Sequence, residues 1–253
     1  MDLATSTVLI TGGSNGIGLG LARKLISAGS QVIVTGRRQQ ALSEAKKQLP
    51  ELHTLVSDAG KISDREALVQ EVLETFPGLN VLVNNAGAQR FKTMKQELET
   101  DWADRHQEIA VNLEAPVHYA NMLTPHFLKQ KEAAIVNVTS GLAFIPCAFA
   151  PMYGATKAAM HSYTQAMRPN YRGTSIRIIE LAPPPLKTDL PSSQQTGGDL
   201  GEFLEGIWPR LAAGEEEIGF GLSEEARKEG PDQIKVRFDR MTGMAFKGPT
   251  MAD

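Results

Sequence analysis

A short apolar segment followed at once by a glycine-rich turn is the feature that most constrains how this chain can fold. Residues 7–10 (TVLI) have the composition of a buried strand, and residues 11–18 (TGGSNGIG) lead into a helical pattern that ends at Gly29. Glycines let the backbone approach a pyrophosphate, and the free N–H groups at a helix start stabilise its charge. Strand, glycine turn and helix in this order predict a nucleotide-binding βα unit. The alternative is a tight turn that holds no ligand.

Strand-like and helical segments then alternate along the chain. The apolar runs that predict further strands are residues 31–35, 52–56, 81–83, 135–138, 176–181 and 217–221. Strands that alternate with helices form parallel sheets covered on both faces. We therefore predict an α/β fold of the doubly wound, Rossmann type, with a mostly parallel seven-stranded sheet, in a single domain spanning residues 1–253. The helical pattern of residues 97–130 is interrupted near residues 112–116.

Composition excludes several classes of protein. A formal net charge of -3 argues against a general nucleic-acid surface, which needs a basic stripe. The single cysteine, Cys147, permits no internal disulfide, and the five histidines show no metal-ligand spacing. No apolar run approaches the roughly 18 residues that cross a bilayer, and no secretory signal is evident. We expect a cytoplasmic protein with no metal site and no membrane or nucleic-acid partner.

Tyr153 and Lys157 stand four residues apart beside a run of good helix formers, so a helix would place both side chains on one face. A tyrosine hydroxyl has an ordinary pKa of about 10. An ammonium about 4 Å away favours phenolate by up to about 4 kcal/mol, roughly three pKa units, which would bring the hydroxyl into range for acid–base catalysis. Ser140 follows a predicted strand, where ligands collect in open α/β sheets. The alternative is a chance Tyr-x-x-x-Lys pair.

Over about residues 5–190 these motifs resemble the short-chain dehydrogenase/reductase family. The family motif Thr-Gly-x-x-x-Gly-x-Gly matches residues 11–18, and its Asn-Asn-Ala-Gly matches residues 84–87. The resemblance implies a catalytic set, formed by Ser140, Tyr153, Lys157 and Asn112. By that resemblance Tyr153 protonates a carbonyl oxygen, Lys157 lowers the tyrosine pKa and grips the cofactor ribose, and Ser140 hydrogen-bonds the developing alkoxide. Asn112 would bend its helix and hold a water that links Lys157 to solvent; the alternative is a mere cap.

The resemblance also implies a cofactor site. Its expected members are Gly12, Ser14, Asn15, Gly16, Ile17, Gly18, Arg37, Arg38, Asp58, Asn84, Ala86, Gly87, Tyr153, Lys157, Pro183, Leu186 and Thr188. Asp58 stands where the family's aspartate meets adenine, or it caps the helical segment that follows. Pro184 departs from the family's glycine, which stiffens the turn and removes a backbone donor.

Arg37 and Arg38 follow the second predicted strand, where an acidic residue would bind the ribose hydroxyls of NAD. The guanidinium fork suits a phosphate, so we predict that the cofactor is NADP(H), with Arg37 as the main contact to the 2′-phosphate. The alternative is two solvated arginines. Asn15 departs from the pattern, because NADP enzymes of the family often carry a basic residue in the glycine loop.

The predicted substrate pocket is apolar. We expect it to be lined by Leu142, Ala143, Cys147, Phe149 and Phe203, beneath a substrate loop or lid at residues 189–212, with residues 222–253 as a C-terminal extension. By its phrases at residues 180–184 and 218–223, the chain resembles the bacterial branch of the family encoded beside the D-alanyl-lipoteichoic-acid genes.

The predicted function is NADPH-dependent reduction of a small ketone or aldehyde to an alcohol, reversible in principle, on an apolar or aromatic substrate. The alternatives are an NAD-linked alcohol dehydrogenase on the same fold and a non-catalytic nucleotide-binding regulatory protein. The resemblance also implies a homodimer or homotetramer.

Overall fold

A seven-stranded sheet forms the centre of the molecule, of which this computed structural model describes residues 3–187 and 197–245. All six strand pairings are parallel, and the strand order is β3-β2-β1-β4-β5-β6-β7. The strands are β1 Thr7–Ile10, β2 Gln31–Gly36, β3 His53–Val56, β4 Leu79–Asn84, β5 Ala133–Val138, β6 Ile176–Ala182 and β7 Glu217–Gly219. The predicted doubly wound fold with seven strands is confirmed.

Helices cover both faces of the sheet. They are α1 Gly16–Ser27, α2 Gln39–Gln48, α3 Ile62–Thr75, α4 Met94–Glu97, α5 Trp102–Ile109, α6 Ala115–Phe127, α7 Pro151–Tyr171, α8 Leu200–Ala213, α9 Leu222–Lys228 and α10 Pro231–Ala245. Within the described residues, no helix combines the length and apolar composition needed to cross a membrane.

Alternating side chains along the strands separate the core into two layers. Val8 and Ile10 of β1 belong to the layer shared with α1, α2 and α8, while Leu9 belongs to the layer shared with α3, α6 and α7. Period-two alternation sends neighbouring residues to opposite faces, and both faces are buried because helices cover each of them. The strand order reverses between β1 and β4, and ligands bind beside such a switch point at the carboxyl ends of the strands.

The interruption predicted near residues 112–116 is a widened turn rather than a break. The chain runs from α5 through a π-helical turn, Ala110–Glu114, directly into α6. Single π turns occur mostly inside α-helices and frequently at functional sites. Pro116 lies in the first turn of α6, where a missing N–H is tolerated.

The predicted lid and the pocket assignment of Phe203 need correction. Residues 200–212 lie in α8, whose apolar stripe packs into the core, and Phe203 is fully buried with its ring 5.8 Å from that of Phe220. An apolar residue repeating at helical spacing faces the core, which is why Phe203 does not line a pocket. Residues 189–196 of the predicted lid, Thr188 and the last eight residues of the extension lie outside the described residues.

Candidate active site

The glycine turn is closely packed against the end of β4. Gly12 has a φ of +66°, and a Cβ on it would lie 2.7 Å from the Cα of Ala86. The Asn85 side-chain amide donates to the carbonyl oxygens of Thr11 (3.0 Å) and Gly12 (2.9 Å). A Cβ on Gly18 would lie 2.5 Å from that same amide nitrogen. Both glycines are therefore required by close approach.

Asn85 is a structural residue that the sequence analysis did not single out, although it is the second asparagine of the Asn-Asn-Ala-Gly motif. The Thr11 hydroxyl accepts from the backbone N–H groups of Asn85 and Ala86, at 3.1 Å each. These bonds, together with the Asn85 amide, fix the turn to the neighbouring strand. The signal that could have identified Asn85 was its polar amide directly after a buried strand.

The start of α1 is suited to an anion. Asn15 is its N-cap but makes no side-chain capping bond, and no acidic residue lies in the first turn. The Gly16 φ of +53° turns the backbone into the helix. The first N–H groups of a helix lack partners within it, and its dipole favours negative charge. Ser14 and Ile17 lie in the same turn, so the residues expected around a pyrophosphate are together in space.

Three further predicted cofactor residues lie beyond β2 and β3 at the same edge of the sheet. Arg37 and Arg38 follow β2, and both are exposed. Asp58 follows β3, and its Oδ1 accepts from the backbone N–H of Gly60 at 3.0 Å. The N-cap of α3 is Lys61, so Asp58 stabilises the turn before the helix rather than capping it.

Ser140, Tyr153 and Lys157 come together at the carboxyl end of β5. Ser140 accepts a hydrogen bond from the Leu142 N–H at 3.2 Å, and Tyr153 lies in the first turn of α7. The Lys157 ammonium donates to the carbonyl oxygen of Val138 at 2.8 Å and lies 5.6 Å from the centroid of the Tyr153 ring. Lys157 is 5% exposed and Tyr153 is partly exposed, so the ammonium does not point into bulk solvent.

The predicted lowering of the tyrosine pKa is wrong for this site. Burial raises the pKa of Tyr153 to about 12; the Ser140 side chain lowers this pKa to a smaller extent, and the Glu108 carboxylate raises it. Burial also lowers the pKa of Lys157 to about 8, while the nearby Glu180 carboxylate raises it. Desolvation is the largest influence on the pKa of each group, because burial disfavours the charged form of both.

Asn112 joins the π turn to the segment after β4. Its Oδ1 accepts from the Ala88 N–H and its Nδ2 donates to the Ala88 carbonyl, both at 2.8 Å. Its Nδ2 also donates to the Thr156 hydroxyl at 3.1 Å. These bonds tie the π turn to the segment after β4 and to α7, so Asn112 is more than a cap. Its predicted role in holding a water between Lys157 and solvent stays a prediction.

The remaining predicted cofactor residues differ in what they contact. Asn84 is buried, and its Nδ2 donates to Asn137 Oδ1 at 2.9 Å. The Pro183 carbonyl accepts from the Gly141 N–H at 3.0 Å. Leu186 is buried and pairs with Gly198 in an isolated parallel bridge. Ala86 and Gly87 follow Asn85 beside the glycine turn, and Thr188 lies outside the described residues.

An apolar hollow of about 410 Å³ lies beside the first turns of α7. Three predicted pocket residues, Leu142, Ala143 and Cys147, line it, together with Phe238 of α10. Neither Tyr153 nor Lys157 is among its described lining residues. Burial raises the pKa of the Cys147 thiol, as for a small apolar group.

Phe149, the other predicted pocket residue, does not line this hollow. Its ring stacks on that of Phe91 with centroids 5.9 Å apart, and Phe91 is 45% exposed. Phe91 was not predicted from the sequence as a pocket residue. It lies three residues after Ala88, whose backbone Asn112 holds. Among the described residues, no group of three or more His, Cys, Asp or Glu could hold a metal ion.

The strand-order reversal between β1 and β4, the glycine turn and the Tyr153–Lys157 pair define a Rossmann-type oxidoreductase of the class that uses a nicotinamide cofactor. A model of the family described as short chain dehydrogenase matches residues 6–197, and the chain belongs to this family. This confirms the family resemblance drawn from the motifs.

Two relatives and one solved structure illustrate the relationship. The "uncharacterized oxidoreductase DltE" of Bacillus subtilis (strain 168) is 46% identical over 234 residues, which cover 92% of this chain and 89% of that protein. A "probable NADP-dependent dehydrogenase" of Haemophilus influenzae is 32% identical over 72% of this chain and 71% of its own. A short-chain dehydrogenase from Streptomyces avermitilis has the same fold, with a TM-score of 0.80 at 20% identity over 95% of this chain and 98% of that one. The resemblance to the DltE branch is confirmed.

Proposed function

We propose that this protein is an NADPH-dependent carbonyl reductase that converts a ketone or aldehyde to an alcohol, reversibly in principle. The observation that carries the proposal is the convergence of Ser140, Tyr153 and Lys157 at the carboxyl end of β5, in the same edge of the sheet as the glycine turn after β1. An acid, a cation and a hydroxyl beside a dinucleotide crevice are the groups that hydride transfer to a carbonyl requires.

The residues present fit the cofactor. Gly12 and Gly18 stand where any Cβ would collide, which leaves the backbone of the turn bare, and the start of α1 has no acidic residue to repel a pyrophosphate. Exposed Arg37 and Arg38 provide two guanidiniums for a 2′-phosphate, and no acid replaces them at the end of β2. The name of the Haemophilus influenzae relative points to the same cofactor.

The chain's own groups then have distinct tasks. When bound, NADPH supplies the hydride. Tyr153 gives its hydroxyl proton to the substrate's carbonyl oxygen, and the Ser140 hydroxyl hydrogen-bonds that oxygen as negative charge develops on it. The Lys157 ammonium, near the Tyr153 ring, stabilises the phenolate that remains and contributes to holding the cofactor ribose. Tyr153 carries its proton at neutral pH, as a tyrosine with an ordinary pKa also does, and burial, which raises its pKa to about 12, makes it a weaker acid.

The substrate side is apolar in this proposal. Leu142 and Ala143 follow Ser140, and the stacked rings of Phe149 and Phe91 lie between the loop before α7 and the segment after β4. Phe91 and Phe149 therefore extend the expected apolar surface, in place of Phe203. An apolar or aromatic carbonyl compound is the substrate class that such a surface accepts.

The test is to incubate the protein with NADPH and each of a panel of ketones and aldehydes. The loss of nicotinamide absorbance measures turnover. We expect turnover of apolar carbonyl compounds and its loss in Tyr153→Phe, with NADPH binding nearly unchanged. Tyr163→Phe on the same helix is the control and should keep activity. Equal turnover by wild type and Tyr153→Phe would refute the proposal, and tight NADPH binding without turnover on any compound would favour the regulatory alternative.

The assembly of the protein is a prediction from the family resemblance, and its location is one from the composition. We expect a homodimer or homotetramer paired through α6 and α7. Light scattering after gel filtration measures the molar mass of this assembly directly. A cytoplasmic location with a small-molecule substrate and no nucleic-acid or membrane partner stays a prediction.

A further inference from the structure

A buried carboxylate lies under α7, on the same face of the sheet as the helix. Glu180 of β6 is 2% exposed. Its neighbours at alternate positions, Ile176 and Ile178, belong to the core layer that α6 and α7 cover. A carboxylate in such surroundings is stable only when it is hydrogen-bonded and faces positive charge.

Two side chains engage the two carboxylate oxygens of Glu180. The Thr139 hydroxyl donates to Oε1 at 2.6 Å, and His161 Nδ1 lies 2.8 Å from Oε2. The other ring nitrogen of His161 lies 3.0 Å from the Gln165 amide, and the Phe144 ring packs edge-on against the imidazole at 4.9 Å. His161 is 22% exposed, so this chain of contacts runs from a fully buried carboxylate towards the surface.

Lys157 and Glu180 are tied to consecutive residues at the end of β5. Lys157 Nζ donates to the carbonyl of Val138, and Thr139, the next residue, donates to Glu180. Ser140 follows Thr139 in sequence, and His161 lies one helical turn beyond Lys157. The lysine, the carboxylate and the serine therefore share one short length of backbone.

We propose that Glu180, paired with His161, is a positioning residue for the reductase reaction. Its carboxylate keeps the Lys157 ammonium charged and, through Thr139, fixes the backbone that carries Ser140. This inference rests on the proposed function. Glu180 touches neither substrate nor cofactor in this proposal; it acts through Lys157 and Thr139. Without its negative charge, the buried ammonium would lose its proton at a lower pH.

The charges around these groups come from several elements. His161 faces Glu180 of β6, Glu217 of β7 and Arg168 of its own helix, and hydrogen bonding to Glu180 raises its pKa. Lys157 faces Glu180, and Tyr153 beside it faces Glu108 of α5. Glu180 is thus the acidic group that acts on both the lysine and the histidine. As pH rises through the pKa of Lys157, activity should fall, and this alkaline limb reports the influence of Glu180.

The first experiment compares pH profiles of kcat with NADPH and an accepted carbonyl substrate. Glu180→Gln keeps the size and an acceptor for Thr139 but removes the charge. We expect its alkaline limb to move down by about one pH unit, with kcat at pH 8 about fivefold lower and KM little changed. His161→Gln is the matched control, because it removes the same pairing yet keeps the carboxylate, and its alkaline limb should not move down. Glu180→Asp should restore most of the wild-type profile.

The proposal would be overturned if the alkaline limb of Glu180→Gln did not move. It would also be overturned if the limb moved down equally in Glu180→Gln and His161→Gln, because disturbed packing alone would then explain both shifts.

A second measurement does not require the Glu180→Gln variant to fold. In Lys157→Met, NMR titration of the His161 ring should give a higher pKa than in the wild type, because the two cations no longer share one carboxylate. An unchanged His161 titration would also overturn it. Because this readout involves no turnover, it remains interpretable if Tyr153→Phe refutes the reductase function itself.

Discussion

Tyr153 and Lys157 lie on one face of α7, as their four-residue spacing requires, but spacing does not set their proton affinities. Burial raises the pKa of the tyrosine to about 12 and lowers that of the lysine to about 8. Both shifts favour the neutral form, because desolvation disfavours any charge. At pH 7 the tyrosine therefore keeps its proton, and the lysine is still mostly charged because pH 7 lies below its pKa of about 8.

Arg37 gives a prediction for cofactor preference. Arg37→Glu should lower kcat/KM for NADPH relative to NADH by about 10- to 100-fold, because a charge-assisted hydrogen bond to the 2′-phosphate is replaced by repulsion. Steady-state kinetics with both cofactors measure the ratio. Arg23→Glu, at an exposed position of α1, is the control and should leave the ratio unchanged. Equal use of NADPH and NADH by the wild type would contradict the role of Arg37.

Phe203 gives a prediction for stability. Its ring is fully buried between α8 and the sheet, so Phe203→Ala should lower the free energy of unfolding by about 3–5 kcal/mol. Phe149→Ala, which removes a partly exposed ring, should cost less than half as much and should instead alter KM for apolar substrates. Urea unfolding of both variants provides the comparison. A larger loss for Phe149→Ala than for Phe203→Ala would reverse the assignment of core and pocket.

These residues show what a sequence can and cannot predict about the site. The glycine turn was predictable because Gly12 and Gly18 are required by local backbone geometry and close approach. The Tyr–Lys pairing was predictable because helical spacing fixes it. Phe203 was not, because an apolar residue near a predicted loop has the same composition whether it faces a ligand or the core, and only the packing of α8 decides. The direction of the Tyr153 pKa shift was not predictable either, because burial sets it and the spacing of residues in the sequence does not reveal burial.

At the scale of elements, the π turn between α5 and α6 has a specific cause. Asn112 is an unfavourable residue for a helix interior. Its side-chain amide nevertheless accepts from the N–H of Ala88 and donates to its carbonyl, as the backbone of a neighbouring β-strand would. The widened turn positions that amide, and Thr156 of α7 completes its bonds. The sequence predicted a disturbance at this place because of Asn112 and Pro116, but not its form, since the partner comes from a segment 24 residues away.

Replacing Asn112 tests this tie. Asn112→Ala leaves the partly buried N–H of Ala88 without its acceptor, and should lower the free energy of unfolding by about 1–3 kcal/mol. It should also reduce kcat, because α7 and the segment leading to Phe91 lose their common anchor. Asn170→Ala is the matched control, since that exposed asparagine bonds only locally to the Ala166 carbonyl, and its effect should stay within about 0.5 kcal/mol. Equal losses in the two variants would show that the tie contributes nothing specific.

At the scale of the whole molecule, the parallel sheet was the most predictable feature, because alternating strands and helices permit few other arrangements. The contacts that fasten its last strand were not predictable. Glu217 of β7 pairs with Arg168 of α7 and Arg227 of α9, and Glu224 of α9 pairs with Arg227 and with Arg210 of α8. This network joins three helices to the edge strand, and every pair except Glu224–Arg227 links two different elements.

The Glu224 carboxylate makes the network sensitive to acid. Hydrogen bonding to Arg227, with Lys228 and the charge of Arg210, lowers the pKa of Glu224 to about 2. A carboxyl whose pKa is lower when folded binds fewer protons in the folded state than in the unfolded one, so its contribution is fully present above the ordinary pKa near 4.5. That contribution is lost as pH falls from about 4.5 towards 2.

Glu224→Gln should therefore unfold at a lower temperature than the wild type at pH 6, and the gap between the two should narrow steadily below about pH 4.5. Thermal unfolding followed by circular dichroism between pH 6 and pH 2.5 measures this gap. Glu225→Gln, one residue along α9 and 61% exposed beside Arg237, is the matched control and should show a small difference at every pH. A Glu224→Gln gap that stays constant down to pH 2.5 would mean that packing, rather than charge, fastens β7 to the helices.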